Sequence, residues 1–277
     1  MSRRVLVAVV LGLLVAGRHA PLAVAQTAPP VTAPPLSVEA QLEFLARARV
    51  VSARPIGKGI TGALRVALSD GTRTHDAAFQ SIAEEPRLDG RKRAGELRFA
   101  DHYRYNLAAW RLASHLGLGH MMPPTVERDV QGKRGALSWW VDDVLMDEAE
   151  REAKNLQPRN AREFARQRQR MTVFAELVRD TDRNKGNVVY TNDWRVVMLD
   201  FSRAFRLETP LRPTASLLMC DRALLAAMRG LTRAQVDAVV DDALTSDEIK
   251  AILARRDLIV AHFDRLIIER GENVVLY

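Results

Sequence analysis

Period-two alternation of apolar and polar residues is confined to the first half of this chain, and helical spacing dominates the second half. Residues 50–82 contain VVSARPI, ALRVAL and THDAAFQSI, with the turn Ser69-Asp70-Gly71 before the third segment. Short alternating runs separated by turn residues are typical of a small antiparallel sheet. The order of the patterns predicts an α+β fold with a sheet lobe followed by a mainly helical lobe.

The sheet lobe is expected to carry one helix. Residues 101–116 place Tyr105, Leu112 and Leu116 on one apolar face, and Gly117 stands where a helix would end. The segments PPTVERDV and ALSWWVDDV follow, joined by QGKRG, which is the pattern of a hairpin. We therefore expect this helix to lie between two groups of strands.

The second half opens with a capping-box-like start at Asn160 and Glu163, which predicts a helix that runs to about Arg179. A hairpin made of NVVY and WRVVMLD interrupts the helices. Thr245 and Glu248 then have the spacing of a second capping box, and they predict a long final helix that ends near residue 271.

Composition fits a globular protein that does not bind nucleic acid. The chain has 47% hydrophobic and 27% charged residues, and its formal charge is +7. Its arginines are scattered beside acidic residues, and no basic stripe is interleaved with aromatic residues, so we expect no nucleic-acid partner. Cys220 is the single cysteine, which excludes an internal disulfide and favours a buried small hydrophobe over a reactive thiol.

The first 25 residues have the pattern of a signal peptide. Arg3 and Arg4 precede the apolar run from Val5 to Ala16, and Ala23-Val24-Ala25 supplies a small-x-small cleavage site. The run is shorter than the roughly 20 residues of a membrane span, so cleavage is favoured over an anchor, and we expect no span in the mature chain. We expect export to the periplasm or the medium, by the general or the twin-arginine route. Residues 26–48, which include TAPPVTAPP, read as a proline-rich spacer and lead-in.

The most informative segment is the acidic loop, residues 180–187, which reads DTDRNKGN. A hairpin follows, and its second strand ends at Asp200. Phosphoryl transfer needs one carboxylate near the acceptor hydroxyl and further oxygen ligands for metal ions on the phosphates. Asp182, Asn187 and Asp200 have that arrangement. A plain polar turn, with Asp and Asn as caps, is the alternative for the loop taken alone.

These segments resemble the phosphatidylinositol 3-/4-kinase-like superfamily, specifically its bacterial exported members, which are similar to secretory-pathway Golgi kinases and HipA-type kinases. The resemblance extends over residues 56–277. Its most specific segments are YRYNLAAWRLASHLGLGHMMPPTVER, GALSWWVDDVLMDEAER, VFAELVRDTDRNKGNVV and MLDFSRAFR. It implies a two-lobed protein kinase-like fold, with an N-lobe over residues 49–143 and a C-lobe over residues 144–277.

The resemblance also implies cofactors and roles, namely ATP and Mg²⁺ acting on a hydroxyl acceptor in a protein or small molecule. Asp182 would be the catalytic base, and Asn187 and Asp200 would bind the metal. Residues 140–143, with Val141 among the nucleotide contacts, would be the hinge that meets adenine.

A glycine-rich turn at residues 57–62 matches G-x-G-x-x-G. A strand follows it rather than a helix, so a β-turn over phosphates fits better than a dinucleotide site, and a hairpin turn without ligand is equally open. Lys58 and Gly59 are the candidate phosphate contacts here. A solvated turn lysine is the alternative for Lys58.

The chain departs from the superfamily at two positions. The strand that should carry a phosphate-pairing lysine has Gln80, and the helix that should carry its glutamate partner has Asn106. We predict that Gln80 and Asn106 lie close together as a neutral pair between the sheet and the first helix. The cleft then lacks that positive charge, and Asp182 and Asp200 would face each other without a cation.

Three hypotheses follow from these residues: a phosphotransferase, a pseudokinase that serves as a nucleotide-binding or scaffold module, and AMP transfer in the same cleft. The histidines lack the paired spacing of a zinc motif. Trp139 and Trp140 are expected to form core and hinge wall rather than a stacking platform.

Overall fold

The computed structural model describes residues 36–57, 62–84, 100–213 and 216–277. In chain order the strands are β1 (Arg49–Pro55), β2 (Leu64–Ser69), β3 (Thr74–Gln80), β4 (Ala83–Glu84), β5 (Asp101–His102), β6 (Thr125–Val130), β7 (Lys133–Trp139), β8 (Val144–Asp147), β9 (Val188–Thr191) and β10 (Val196–Met198). The helices are α1 (Val38–Arg47), α2 (Arg104–His115), α3 (Glu148–Ala153), α4 (Ala161–Leu177), α5 (Arg222–Gly230), α6 (Arg233–Val240), α7 (Ser246–Arg270) and α8 (Glu272–Val275).

A five-stranded antiparallel sheet, in the order β1-β2-β3-β7-β6, forms the N-lobe and confirms the predicted sheet. Alternation along β3 buries Ala77 and Phe79 in the lobe core, so that Ala78 and Gln80 face the opposite side. This side borders the cleft described below. The period of the strand therefore determines which β3 residues are available to a ligand.

Gly135 allows the end of β3 to approach β7. A Cβ atom at this position would lie 2.3 Å from the Gln80 carbonyl oxygen and 2.7 Å from the Phe79 ring. Any side chain here would push β3 away from β7. The glycine therefore helps to place Gln80.

Helix α1 covers the core face of the sheet, where Phe44 and Leu45 are buried against its residues. Ser37 caps the helix by accepting from the Ala40 N–H at 3.2 Å. Val38–Arg47, which belong to the predicted lead-in, therefore form α1. The sequence patterns do not predict this helix.

Helix α2 joins the two lobes and confirms the predicted helix, although it begins at Arg104. Its residues Ala108 and Leu112 are buried in the large C-lobe core, and Leu107 packs near Ala136 of the sheet. Residues 101–102 form β5, which pairs with β4.

The C-lobe consists of a three-stranded sheet, in the order β10-β9-β8, and the remaining helices. The capping box of Thr245 and Glu248 begins α7 as predicted, and α7 ends at Gly271, whose φ of 87° is in the region that favours glycine. Asn160 accepts from the Glu163 N–H at 3.0 Å, which starts α4. The fold is the predicted α+β arrangement of a small sheet lobe and a helical lobe.

Among the described residues, no helix combines the length and the hydrophobicity that crossing a bilayer requires. Cys220 is buried, and its burial raises the pKa of the thiol to about 12. This thiol is therefore protonated at neutral pH, as expected for a small core residue.

Candidate active site

A cleft with a volume of about 710 Å³ lies between the lobes and is called the interlobe cleft below. Ile56 and Ala78 of the N-lobe line it on one side, and Val189 and Met198 of the C-lobe line it on the other. Apolar walls of this kind suit a flat aromatic ring system. Its polar wall is formed by Gln80, Asn106, Asn184, Asn187 and Asp200.

The hinge segment, residues 140–143, connects β7 to β8 along the cleft. Trp139 and Trp140 donate backbone N–H bonds to Pro124 and Asp76, at 2.9 and 3.2 Å. Val141 lines the cleft, and within the described part of the chain its backbone N–H makes no backbone hydrogen bond. This N–H is therefore available to a ligand.

Two side chains of the sheet hold the hinge segment. His75 stacks on Trp139 with 3.7 Å between ring centroids, and its Nε2 lies 2.7 Å from an Asp142 carboxylate oxygen. The Arg65 guanidinium lies 4.2 Å from the centroid of Trp140. Trp139 is packed against the N-lobe core and Trp140 lines the cleft, which confirms their interpretation as core and hinge wall.

Side chains within the acidic loop place Asn187. Asn184 caps the short 3-10 turn at Lys185–Asn187, with its Oδ1 accepting from the Gly186 N–H at 2.8 Å. Asn187 Nδ2 donates to the Asp182 carbonyl at 3.0 Å, which leaves the Asn187 amide oxygen as an acceptor.

Arg183 ties the acidic loop to the end of β10. Its Nη1 donates to the Asn187 carbonyl at 2.8 Å and to the Leu199 carbonyl at 2.5 Å. Its Nε donates to Asp180 at 2.7 Å, and its guanidinium lies 4.1 Å from the centroid of the Phe201 ring. One buried arginine therefore brings together the two segments that the sequence associates only by spacing.

Asp200 follows β10 with a φ of 51°, an uncommon left-handed conformation for a residue other than glycine. Its Oδ1 accepts from the Ser202 N–H at 3.1 Å, and its Oδ2 accepts from Gln80 Nε2 at 3.0 Å. Surrounding contacts therefore hold the strained backbone and the carboxylate in one orientation.

Gln80 and Asn106 form the predicted neutral pair, called the amide pair below. Asn106 Nδ2 donates to Gln80 Oε1 at 2.6 Å, which confirms that the two residues lie close together. Asn106 Oδ1 accepts from the Phe201 N–H at 2.6 Å. The amide pair thus contacts both the side chain of Asp200 and the backbone that follows it.

Arg203, a residue that the sequence patterns do not single out, stands beside Asp182. Its Nη1 donates to Asp182 Oδ2 at 3.1 Å, and its Nε donates to Asp101 Oδ2 at 2.7 Å. Burial would lower the pKa of Arg203, but its hydrogen bond to Asp101 and the charges of Asp101, Asp182 and Asp200 raise it. Arg203 lies in the segment MLDFSRAFR, but nothing local in this segment indicates which carboxylates it contacts.

The described donors fit a magnesium ion that retains ligands from a nucleotide. Within the described ranges, no group of three or more His, Cys, Asp or Glu side chains can hold a metal. The Asn187 amide oxygen and the Asp200 carboxylate are hard oxygen donors, and Mg²⁺ usually takes one or two protein ligands together with phosphates and water. This donor set therefore suits a metal–nucleotide complex.

The glycine-rich turn is only partly described. Lys58 and Gly59 lie outside the described residues. Ile56 and Ala63, which line the cleft, are joined by an Ile56 N–H bond to the Ala63 carbonyl at 3.0 Å. Ile56 and Ala63 thus bring the two ends of this segment together beside the cleft, and the strand β2 follows it, as predicted.

No family model and no curated protein matches this sequence. Solved structures do match its fold, and they define it as protein kinase-like. The structure of hydra Fam20 with sugar is 13% identical, with a TM-score of 0.62 over 87% of this chain and 92% of that one. The Golgi casein kinase with Mn/ADP bound is 12% identical, with a TM-score of 0.62 over 86% and 78%. The Helicobacter pylori proinflammatory kinase CtkA is 10% identical, with a TM-score of 0.54 over 82% and 98%.

Proposed function

We propose that this protein is a metal- and nucleotide-dependent phosphotransferase that acts on a hydroxyl group. The observation that carries the proposal is that Asn187 and Asp200 line a cleft with apolar walls, and that Asn187 Nδ2 donates to the Asp182 carbonyl within the acidic loop. The match to a Golgi casein kinase that has Mn and ADP bound supports this choice of cofactors. We assign ATP and Mg²⁺ to this chain, with Val141 facing the base.

Each residue has a defined task in this proposal. Asn187 and Asp200 would hold the divalent cation, which neutralises phosphate charge when it is bound. The amide pair keeps Asp200 oriented, and the apolar walls exclude water from the base. Lys58 and Gly59 are proposed to contact the phosphates.

Asp182 would receive the acceptor hydroxyl. The hydroxyl oxygen forms a bond to the γ-phosphorus, the bond between that phosphorus and its bridging oxygen breaks, and ADP leaves with the electron pair. The hydroxyl proton passes to Asp182. A carboxylate offers roughly four acceptor positions, and Asn184 and Arg203 occupy two on Asp182, so positions remain for the acceptor.

The amide pair favours a second candidate, a pseudokinase that binds nucleotide or a protein partner without efficient transfer. Gln80 and Asn106 supply hydrogen bonds but no positive charge, and the described residues that line the cleft include no lysine or arginine. A nucleotide would therefore rely on the metal and on residues outside the described ranges for compensation of its phosphate charge.

A two-stage experiment tests the proposal. Melting temperature is measured with ATP alone, Mg²⁺ alone and both together, and transfer of the γ-phosphate is then followed with radiolabelled ATP. We expect stabilisation that needs both ligands, followed by label transfer. Stabilisation without transfer would support a nucleotide-binding pseudokinase. No stabilisation at millimolar ATP with Mg²⁺ would refute the phosphotransferase and leave a scaffold module in its place.

Export remains part of the proposal. Residues 1–25 lie outside the described residues, and their sequence pattern alone supports cleavage after Ala25. N-terminal sequencing of exported protein tests it, and a product that retains Val5 to Ala16 in the membrane would contradict it.

A further inference from the structure

Arg203 bridges two carboxylates that differ in burial. The Asp101 side chain is 2% exposed and the Asp182 side chain is 32% exposed, while Arg203 itself is 14% exposed. The second Asp101 oxygen, Oδ1, is buried and has no hydrogen-bond partner among the described residues. Asp101 is therefore a buried anion that depends on Arg203, whereas water reaches Asp182.

The contact with Asp101, more than the contact with Asp182, fixes the position of Arg203. Removing the partner of a buried charge is strongly destabilising, whereas an exposed ion pair contributes little to stability. The backbone around Arg203 is held as well, because the His102 N–H donates to the Ser202 carbonyl at 2.9 Å and Thr181 Oγ1 donates to the Arg203 carbonyl at 3.1 Å. Arg203 is thus a rigid element against which Asp182 is placed.

Asp182 has contacts on both carboxylate oxygens. Arg203 Nη1 donates to Oδ2 at 3.1 Å, and Asn184 Nδ2 donates to Oδ1 at 3.2 Å. The charged donor is the stronger of the two. Loss of Arg203 would leave one long bond from a neutral amide to hold the side chain.

We infer that Arg203 is a positioning residue that orients Asp182 toward the acceptor hydroxyl, with Asp101 as its buried anchor. This inference rests on the proposed function. Arg203 acts through Asp182, so its loss lowers the rate of transfer and leaves the affinity for the metal–nucleotide complex unchanged. Misplacement of a catalytic group by about 1 Å can cost about 10²-fold in rate.

The test compares Arg203→Met, Arg203→Lys and Asp101→Asn with the unaltered protein. ADP formation from ATP is followed with Mg²⁺, water or the chain itself serving as acceptor, and kcat and the KM for ATP are determined separately. We expect Arg203→Met to lower kcat by about 10²-fold and to change KM by less than about twofold. Arg203→Lys keeps a charge but loses the second donor arm. Its kcat should therefore lie between those of Arg203→Met and the unaltered protein.

Arg170→Met is the matched control. Arg170 on α4 is 18% exposed and bridges two carboxylates that do not line the interlobe cleft, Glu163 at 3.1 Å and Asp221 at 2.9 Å. If the loss of any bridging arginine lowered kcat, both variants would show the decrease. A positioning role for Arg203 lowers kcat only in Arg203→Met. If Arg203→Met fails to fold, Arg203→Lys and Asp101→Asn carry the test through the same split between kcat and KM.

The outcomes distinguish the positioning role of Arg203 from the proposed phosphotransferase function. Turnover that is equal in the Arg203 variants and the unaltered protein overturns the inference and leaves the proposed function intact. A rise in KM with unchanged kcat also overturns it, because Arg203 would then contact the nucleotide. An unaltered protein that forms no ADP refutes the phosphotransferase itself, and the inference with it.

Discussion

Gln80 Nε2 lies 3.0 Å from Asp200 Oδ2, so a neutral amide on β3 holds the carboxylate that we assign to the metal. Asn106 holds Gln80 in turn, at 2.6 Å. The contact joins the sheet lobe to the segment after β10 through neutral amides. Gln80 and Asn106 therefore help to orient Asp200 but contribute no charge at the phosphates.

Substitutions at Asp200 and Asp182 should distinguish nucleotide binding from phosphoryl transfer. We expect ATP with Mg²⁺ at about one hundred times its Kd to stabilise the unaltered protein by about 2.7 kcal/mol, which raises Tm by about 5–10 °C. Asp200→Ala should abolish this gain because it removes the carboxylate ligand. Asp182→Asn should retain the gain and lose label transfer, since its proposed role concerns the acceptor.

The control for the Asp200 and Asp182 variants is Asp129→Asn, which replaces an exposed carboxylate on β6. It should change neither the stabilisation by ATP with Mg²⁺ nor the label transfer. Melting curves with and without metal, followed by the radiolabel assay, provide the comparison. Full stabilisation of Asp200→Ala by ATP with Mg²⁺ would show that the metal ligand is misassigned.

The amide pair should behave as one unit in folding. Asn106→Ala leaves the Phe201 N–H and Gln80 Oε1 without their partner, and each lost partner of a buried group costs about 1–3 kcal/mol. We expect a coupling energy of about 0.5–3 kcal/mol between Gln80→Ala and Asn106→Ala in a double-mutant cycle, measured by urea unfolding. Additive effects would mean that the pair does not act together.

Gln80→Lys tests whether the missing charge limits nucleotide binding. The new ammonium would stand near Asp200 and the phosphate end of the cleft, where an opposite charge strengthens phosphate binding. We expect tighter binding of ATP with Mg²⁺ by about tenfold, or about 1.4 kcal/mol, in calorimetric titration. Gln80→Met is the uncharged control of similar length, and equal affinity in both variants would contradict the prediction.

Glu148 should make stability depend on pH under acidic conditions. Burial favours a higher pKa for its carboxyl, but hydrogen bonds from Arg151 and Tyr190 and the charge of Arg168 outweigh burial and lower it to about 2. A lowered pKa in the folded state adds stability above the unfolded pKa, which is about 4.3 for glutamate, and this stability is lost as pH falls through about 2.

We therefore expect Glu148→Gln to cost about 3–5 kcal/mol near neutral pH, because it leaves two arginines with a neutral partner. The difference from the unaltered protein should shrink between about pH 4.3 and pH 2. Chemical unfolding across this range measures it, with Glu150→Gln on the same helix as a control, since Glu150 is half exposed. A difference that does not change with pH would contradict the assignment.

Local patterns in the sequence determine the elements of this protein and the residue types at its candidate site. Segments such as THDAAFQSI predict the strands of the sheet lobe, and the capping box of Thr245 and Glu248 predicts the start of α7. The spacing of Asp182, Asn187 and Asp200 selects the candidate site before any coordinate is known. Each of these signals operates over a few residues or one hairpin.

Only the tertiary structure decides which distant side chains meet. Arg203 reaches Asp101, which lies 102 residues earlier in the chain, and Asn106 accepts from the Phe201 N–H across 95 residues. His75 holds Asp142 of the hinge segment across 67 residues. Such contacts depend on how the lobes pack, and no local periodicity encodes them, so the cation beside Asp182 becomes visible only when the chain is folded.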